Sequence, residues 1–120
     1  PPAPLRRAPR AGPGMAGDAS AASRSAVDFL RAVGRLKRTP RTGWVLKEVA
    51  EPESVADHMY RMGAMALVAA PQEGVDADRC MRLALVHDMA EALVGDLTPH
   101  CGVSKEEKHA REVQAIKDLR

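Results

Sequence analysis

The chain has 120 residues, enough for one small domain. Hydrophobic residues make up 45% of it, but 21 of these are alanine, and Trp, Tyr and Phe occur once each. Sandwiches and barrels draw on β-branched and aromatic side chains, whereas Ala, Leu, Met and charged residues suit helices, so composition excludes an all-β fold and points to an all-α one. The formal charge of +2 is unevenly spread: residues 24–47 carry seven Lys/Arg against one Asp, and residues 48–120 carry eight against fourteen acids.

Residues 1–23 begin with a Pro- and Arg-rich stretch that cannot bury enough apolar surface to offset its ordering entropy and are expected to form a disordered N-terminal extension. Met15 opens a plausible start, which would make residues 1–14 an upstream extension. Arg-bearing and acid-free, they are also compatible with a transit peptide, which leaves a mitochondrial address open. From residue 24 the pattern becomes helical. Val27, Leu30, Val33 and Leu36 recur at spacings of three, with Phe29 beside them, and predict a helix over 24–38. Pro40, Gly43 and Pro52 mark residues 39–53 as an extended loop. Ser54 is a good N-cap for a helix from Val55 to Ala70, ended by Pro71 and Gly74. Asp76 or Asp78 caps a third helix reaching Val94, where Gly95 stops it. Thr98-Pro99 and Gly102 form another loop. Ser104 and Glu107 have capping-box spacing and open a last helix with Val113 and Ile116 on its apolar side. The expected organisation is a disordered segment over 1–23 and a helical domain over 24–120.

No apolar run of about 18 residues occurs, so no membrane-spanning helix and no membrane partner are expected. Two cysteines make no disulfide framework, so Cys80 and Cys101 read as structural thiols in an intracellular, cytoplasmic protein. The basic front offers only Phe29 and Trp44 for stacking, and no nucleic-acid partner is expected. Gly63, Ala64, Ala66, Ala69 and Ala70 permit close helix packing, within the fold or in a homodimer.

Four histidines occur, and two invite chemistry. His58 lies early on the second helix. His87 and Asp88 lie late on the third, in Leu85-Val86-His87-Asp88-Met89-Ala90-Glu91. Glu91 is four residues after His87 and three after Asp88, so on a regular helix it shares their face. A single histidine beside apolar residues is usually a satisfied core or surface residue. Three metal-competent groups on a helix that must also bury apolar surface are harder to place that way, because unpaired charge there is costly and a divalent cation offsets it. Imidazole nitrogen with carboxylate oxygen suits Mn, Fe, Co or Zn.

The ordered set Asp57-His58, then His87-Asp88-Met89-Ala90-Glu91, then Gly95-Asp96-Leu97 resembles the HD-domain metal-dependent phosphohydrolases, and within them the 5′-deoxynucleotidase branch. The resemblance runs from about Ala26 to Ala115. It includes Phe29-Leu30-Arg31, Gly34-Arg35-Leu36-Lys37-Arg38, Arg41-Thr42-Gly43-Trp44-Val45 and Pro52-Glu53-Ser54-Val55-Ala56. It implies an HD-domain helical bundle that hydrolyses 2′-deoxynucleoside 5′-monophosphates to a deoxynucleoside and phosphate. It also implies a divalent cation (Mn, Co, Fe, Zn or Mg) held by His58, His87 and Asp88. Glu91 would activate or orient the attacking water or touch a second metal, and Asp96 would support the site or bind that second metal. Trp44 and Arg41 would face the nucleotide, although here Gly43, not an arginine, precedes the tryptophan. The family completes its metal site with an aspartate on a later helix. None matching it precedes Arg120, so the bundle is expected to be truncated at its C-terminus, with three of four primary ligands. The competing readings are an HD phosphohydrolase acting on another nucleotide, or a non-catalytic helical interaction module.

Overall fold

The computed structural model describes residues 16–120, with side chains from residue 25 onward. The expectations for residues 1–15 lie outside the described residues. The described chain is all-α, with six α-helices: α1 (Ala16–Val33), α2 (Thr42–Leu46), α3 (Val55–Ala69), α4 (Ala77–Val86), α5 (Glu91–Val94) and α6 (Lys105–Asp118). Short 3₁₀ turns cover Gly34–Arg38 and Pro99–Cys101. Helix α1 therefore starts ahead of residue 24, and residues 16–23, expected to be without structure, form its first turns. Four alanines among these eight residues favour the helix against Gly17, Asp18, Ser20 and Ser23, and the Pro/Arg composition upstream masks them. At the other end α1 yields to a 3₁₀ turn at Gly34, the poorest helix former in the segment.

Helix α3 starts where Ser54 is expected to cap it. The Ser54 hydroxyl accepts the Asp57 N–H at 3.1 Å, and the Asp57 carboxylate accepts from the Ser54 N–H at 3.0 Å and from its hydroxyl at 2.7 Å. This reciprocal box satisfies two of the free donors at a helix start. The same bonds hold the Asp57 carboxyl below its ordinary range. Ahead of the cap the chain pairs with itself. The Val55 N–H donates to Thr39 O at 2.8 Å and the Arg41 N–H to Glu53 O at 2.9 Å, around an antiparallel bridge between Pro40 and Ser54.

That pairing sits over the core. Leu36, Val55, Met59 and Ala92 form a buried cluster with Val33 and Ala56 against it, so the 3₁₀ turn at 34–38 joins α1, α3 and α5. Helices α3 and α4 pack along each other as a hairpin, closed by Pro71 and by Gly74 at φ 67°. Met62, Met65, Leu67, Val68, Leu83 and Leu85 on these two helices stay exposed. Among the described residues no helix is long and apolar enough to cross a membrane.

Elements further along the chain also differ from expectation. Residues 39–53 are not wholly extended, because Thr42–Leu46 forms one helical turn; its first N–H is capped by the Asp96 carboxylate at 2.8 Å, a partner 54 residues away that no local pattern shows. The third helix does not run unbroken to Val94. It opens at His87–Ala90, where the Met89 and Glu91 N–H groups bond three residues back, to Val86 O and Asp88 O. Gly95, at φ 76°, ends α5 in a conformation that favours glycine. Ser104 caps α6 through the Glu107 N–H at 3.1 Å, but the Glu107 carboxylate turns to Arg111 instead of completing a box.

Replacing Ser54 with alanine removes the α3 cap, and a loss of about 1 kcal/mol is expected. Urea unfolding should show a lower midpoint with unchanged slope; an unchanged midpoint would show that the cap does not hold α3.

Candidate metal centre

Two elements bring three side chains to one point. His58 comes from the first turn of α3, positioned by the Ser54 cap and by its own N–H bond to Ser54 O at 3.0 Å. His87 and Asp88 come from the opened turn after α4. Consecutive side chains on a helix diverge by about 100°, yet the side chains of His87 and Asp88 curve back to within 3.1 Å of each other. His87 Nε2 lies 3.1 Å from Asp88 Oδ2 and 3.4 Å from His58 Nε2, and His58 Nε2 lies 3.6 Å from Asp88 Oδ2. The two rings meet edge to face at 66°.

The protonation pattern suits a cation. His87 Nδ1 lies 2.8 Å from Ala84 O, which assigns the ring proton to Nδ1 and leaves Nε2 with its lone pair toward the cluster. Burial, helped by the Arg41 guanidinium, holds His58 below its ordinary value, which favours the uncharged imidazole that ligates. Three lone-pair-bearing atoms this close repel unless a proton or cation lies among them. Ligands about 2.1 Å from a shared cation stand about 3.0–3.4 Å apart in octahedral or tetrahedral geometry; the 3.1 and 3.4 Å edges fall in that range and the 3.6 Å edge lies just beyond it. Among the described residues, His58, His87 and Asp88 are the group whose donor atoms converge in this way.

Glu91 and Asp96 lie beside this group without joining it. The opened turn rotates Glu91 inward to 4% exposure, where its Oε2 has no hydrogen-bond partner. Burial first, then the neighbouring charges of Asp88 and Asp96, raise its carboxyl to about 8, against the smaller opposing pull of Arg41 and Lys108. Asp96 works as a latch. Besides capping Thr42 it receives the Thr42 hydroxyl on its backbone oxygen at 2.6 Å, which ties α2 to the turn after α5.

Arg41 reaches the cluster, with Nη1 at 3.3 Å from Asp88 Oδ2 and 3.8 Å from Asp96 Oδ2. Trp44 does not reach it directly. It lines a surface cavity of about 200 Å³ with Val49, Glu53 and Arg61, and donates Nε1–H to Glu53 Oε1 at 3.2 Å. A larger apolar cleft of about 470 Å³ between α3 and α4 touches the cluster only at His87.

Two residues around this site escape a reading of the sequence alone. Lys108 of α6 donates to Leu97 O at 2.7 Å and braces the turn holding Asp96. Glu53 joins Trp44, Arg61 and the His58 side of the cluster; its one sequence signal is a carboxylate directly before the capping serine.

The HD domain family matches residues 33–120. The chain belongs to the HD-domain family. It is 60% identical over 97 residues to the 5′-deoxynucleotidase HDDC2 of Bos taurus, covering 81% of this chain and 47% of that protein. It is 52% identical over 97 residues to the 5′-deoxynucleotidase hdd1 of Schizosaccharomyces pombe, covering 81% and 48%. A conserved hypothetical protein from Pyrococcus furiosus has a solved structure that superposes with TM-score 0.66 at 38% identity, covering 78% of this chain and 58% of that one. This HD-domain chain spans about half the length of the curated relatives it matches. HD domains are metal-dependent, and a His/Asp cluster of the required chemistry is present here.

The buried Glu91 gives a stability signature with a definite sign. Its carboxyl binds a proton more tightly in the folded chain than its ordinary value of 4.5 allows, so folding takes up a proton. The stability from this group is full below pH 4.5 and is lost as pH rises through about 8. His58, held low, acts in the opposite sense toward acid and cancels when variants are compared. In the metal-free protein, Glu91→Gln should gain stability over the parent progressively from pH 5 to pH 8, read by urea unfolding. A constant difference across that range would show that Glu91 is not raised.

Proposed function

We propose that this HD domain carries the site for metal-dependent hydrolysis of 2′-deoxynucleoside 5′-monophosphates, yielding a deoxynucleoside and inorganic phosphate. The observation that carries the reading is the convergence of His58 Nε2, His87 Nε2 and Asp88 Oδ2 on one point. The substrate class rests on the curated relatives, whose names state 5′-deoxynucleotidase activity.

His58, His87 and Asp88 hold the divalent cation, with Mn, Co, Fe, Zn and Mg all compatible with two imidazoles and a carboxylate. When bound, it supplies Lewis-acid polarisation of the phosphoryl group and a lowered pKa for water. Arg41 provides the fixed positive charge at the mouth of the cluster, and its further N–H groups meet phosphoryl oxygens in a geometry suited to bidentate contact. Glu91 holds a proton at its carboxyl close to neutral pH, the property of a group that exchanges one with water or leaving group. Its orphaned Oε2 is the atom that would do so. Asp96 keeps Thr42 and Arg41 in place, and a second cation there would compete with the Arg41 guanidinium. Trp44, one layer out beside Glu53, offers an indole for the nucleoside end. Phosphoryl transfer depends mainly on positioning and electrostatics, and these residues supply both. Cys80 and Cys101 are free thiols, which fits a reducing intracellular compartment.

Phosphate release from deoxynucleoside and nucleoside monophosphates, with Mn²⁺, Co²⁺ or EDTA and the protein at full length, tests the reading. EDTA should abolish turnover, and deoxynucleotides should be preferred. His87→Ala and Asp88→Ala should each lower kcat by at least about a hundredfold with loss of bound metal, whereas Glu91→Gln should keep the metal and lose rate. Full activity of His87→Ala with normal metal content would remove the assignment.

A further inference from the structure

Glu53 occupies a position that the reaction as described does not use. Its Oε1 accepts the Trp44 indole N–H at 3.2 Å and an Arg61 N–H at 2.8 Å, and faces His58 Nδ1 at 3.9 Å. Its Oε2 takes a second contact from Arg61 at 2.6 Å, so the carboxylate is clamped by a guanidinium at two oxygens. The clamp is built across elements: Glu53 precedes α3, Arg61 lies two turns along it, and Trp44 belongs to α2. Only 18% of the Glu53 side chain is exposed, against 60% for Arg61, so the carboxylate is enclosed while its counter-ion covers it from the solvent side.

We infer that Glu53 is a positioning residue that couples the cation-binding face of His58 to the indole of Trp44. This inference rests on the proposed metal site. Its chemistry follows from the two ends of the imidazole. His58 turns Nε2 to the cluster, and that nitrogen is a good ligand when the ring proton sits on Nδ1 and a carboxylate faces it. Glu53 is the carboxylate on that side. The same oxygen accepts from the indole, so closing the 3.9 Å gap to His58 Nδ1, which is beyond hydrogen-bond distance, would be felt at Trp44 through one shared atom. Arg61 holds the Glu53 carboxylate fixed, so that it can orient both partners without swinging into water. Glu53 touches neither the converging ligand atoms nor the place where phosphate would lie, and it acts only through His58 and Trp44.

Trp44 is the only tryptophan in the chain, so intrinsic fluorescence reports this one contact. Zn²⁺ is the probe, because its filled d shell gives it no absorption with which to quench the indole. Calorimetry measures Zn²⁺ binding, and the Trp44 emission maximum is followed in the same titration. In the parent protein the emission should shift and saturate with the calorimetric curve. Glu53→Ala should weaken Zn²⁺ binding about 10- to 100-fold and leave Trp44 emission insensitive to Zn²⁺. Glu53→Gln, which keeps an acceptor for the indole but loses the charge, should retain the metal-free emission of the parent yet still bind Zn²⁺ more weakly. Arg61→Met, a change at an exposed side chain, should move both readouts in the direction of Glu53→Ala, and it carries the test should Glu53→Ala lose its helical circular dichroism. Parent-like Zn²⁺ affinity together with a parent-like Trp44 response in Glu53→Ala overturns the inference. Absence of calorimetric Zn²⁺ binding in the parent overturns the metal site on which it rests. In that case the metal-free emission of Glu53→Ala against the parent still decides whether Glu53 holds the indole.

Discussion

The short backbone pairing between residues 39–41 and 53–55 is the constraint on which the site depends. Two hydrogen bonds hold it, Val55 N–H to Thr39 O and Arg41 N–H to Glu53 O. At one end it delivers Val55, fully buried, to the core beside Leu36 and Met59. At the middle it presents Ser54 to cap α3, which fixes the first turn and with it His58. On its flanks it sets Arg41 toward Asp88 and Glu53 toward His58 and Trp44. One local piece of structure thus places a ligand candidate, the cation that balances the acids, and the carboxylate behind the ligand. A loop as long as 39–53 would otherwise carry a large ordering entropy. The pairing, together with the Asp96 cap on α2, offsets it by satisfying backbone groups that would be left open.

The electrostatics of the cluster follow from putting three carboxyl groups, those of Asp88, Glu91 and Asp96, around one guanidinium. Arg41 lies within 3.3 Å of Asp88 and 3.8 Å of Asp96, and a single positive charge cannot balance three negative ones. The group with the highest desolvation cost gives way, and this is Glu91, which keeps its proton to about pH 8. The opened turn at 87–90 is what makes this division. His87 and Asp88 meet His58 there, while Glu91 lies buried beside Asp88 and Asp96. A regular helix would have set Glu91 on the same face as His87.

Much of this is legible in the sequence because it depends on near neighbours. Ser54, Asp76 and Ser104 cap the helices they precede, and Gly74 and Gly95 adopt the positive φ that ends them. His58, His87 and Asp88 are legible as a set because few other histidines compete with them. What local pattern does not show are contacts made across the chain. The turn of α2 exists because Asp96 supplies a cap from 54 residues away. The break at His87–Ala90 contains no proline or glycine to announce it. Glu53 reads as a loop residue ahead of a cap, and its partners become visible only when α2 and α3 lie side by side. The early start of α1 is hidden for another reason: the alanine-rich run at 16–23 merges in composition with the proline-rich stretch before it.

The uneven charge of the chain also takes on meaning in the fold. The basic front and the acidic back do not simply form two solvated surfaces, because Arg41, from the front, is inserted between Asp88 and Asp96, from the back. Arg35, Lys37 and Arg38 belong to the 3₁₀ turn that precedes it in the chain. In the proposed reaction this arrangement has a consequence for order. While the cluster holds no cation, the Arg41 guanidinium serves the carboxylates, and its donors are partly committed. With the charge of Asp88 met by a cation, the Arg41 donors would be available to a phosphate. The same arginine that stabilises the acidic centre would then, on the proposed function, receive the substrate's anionic end.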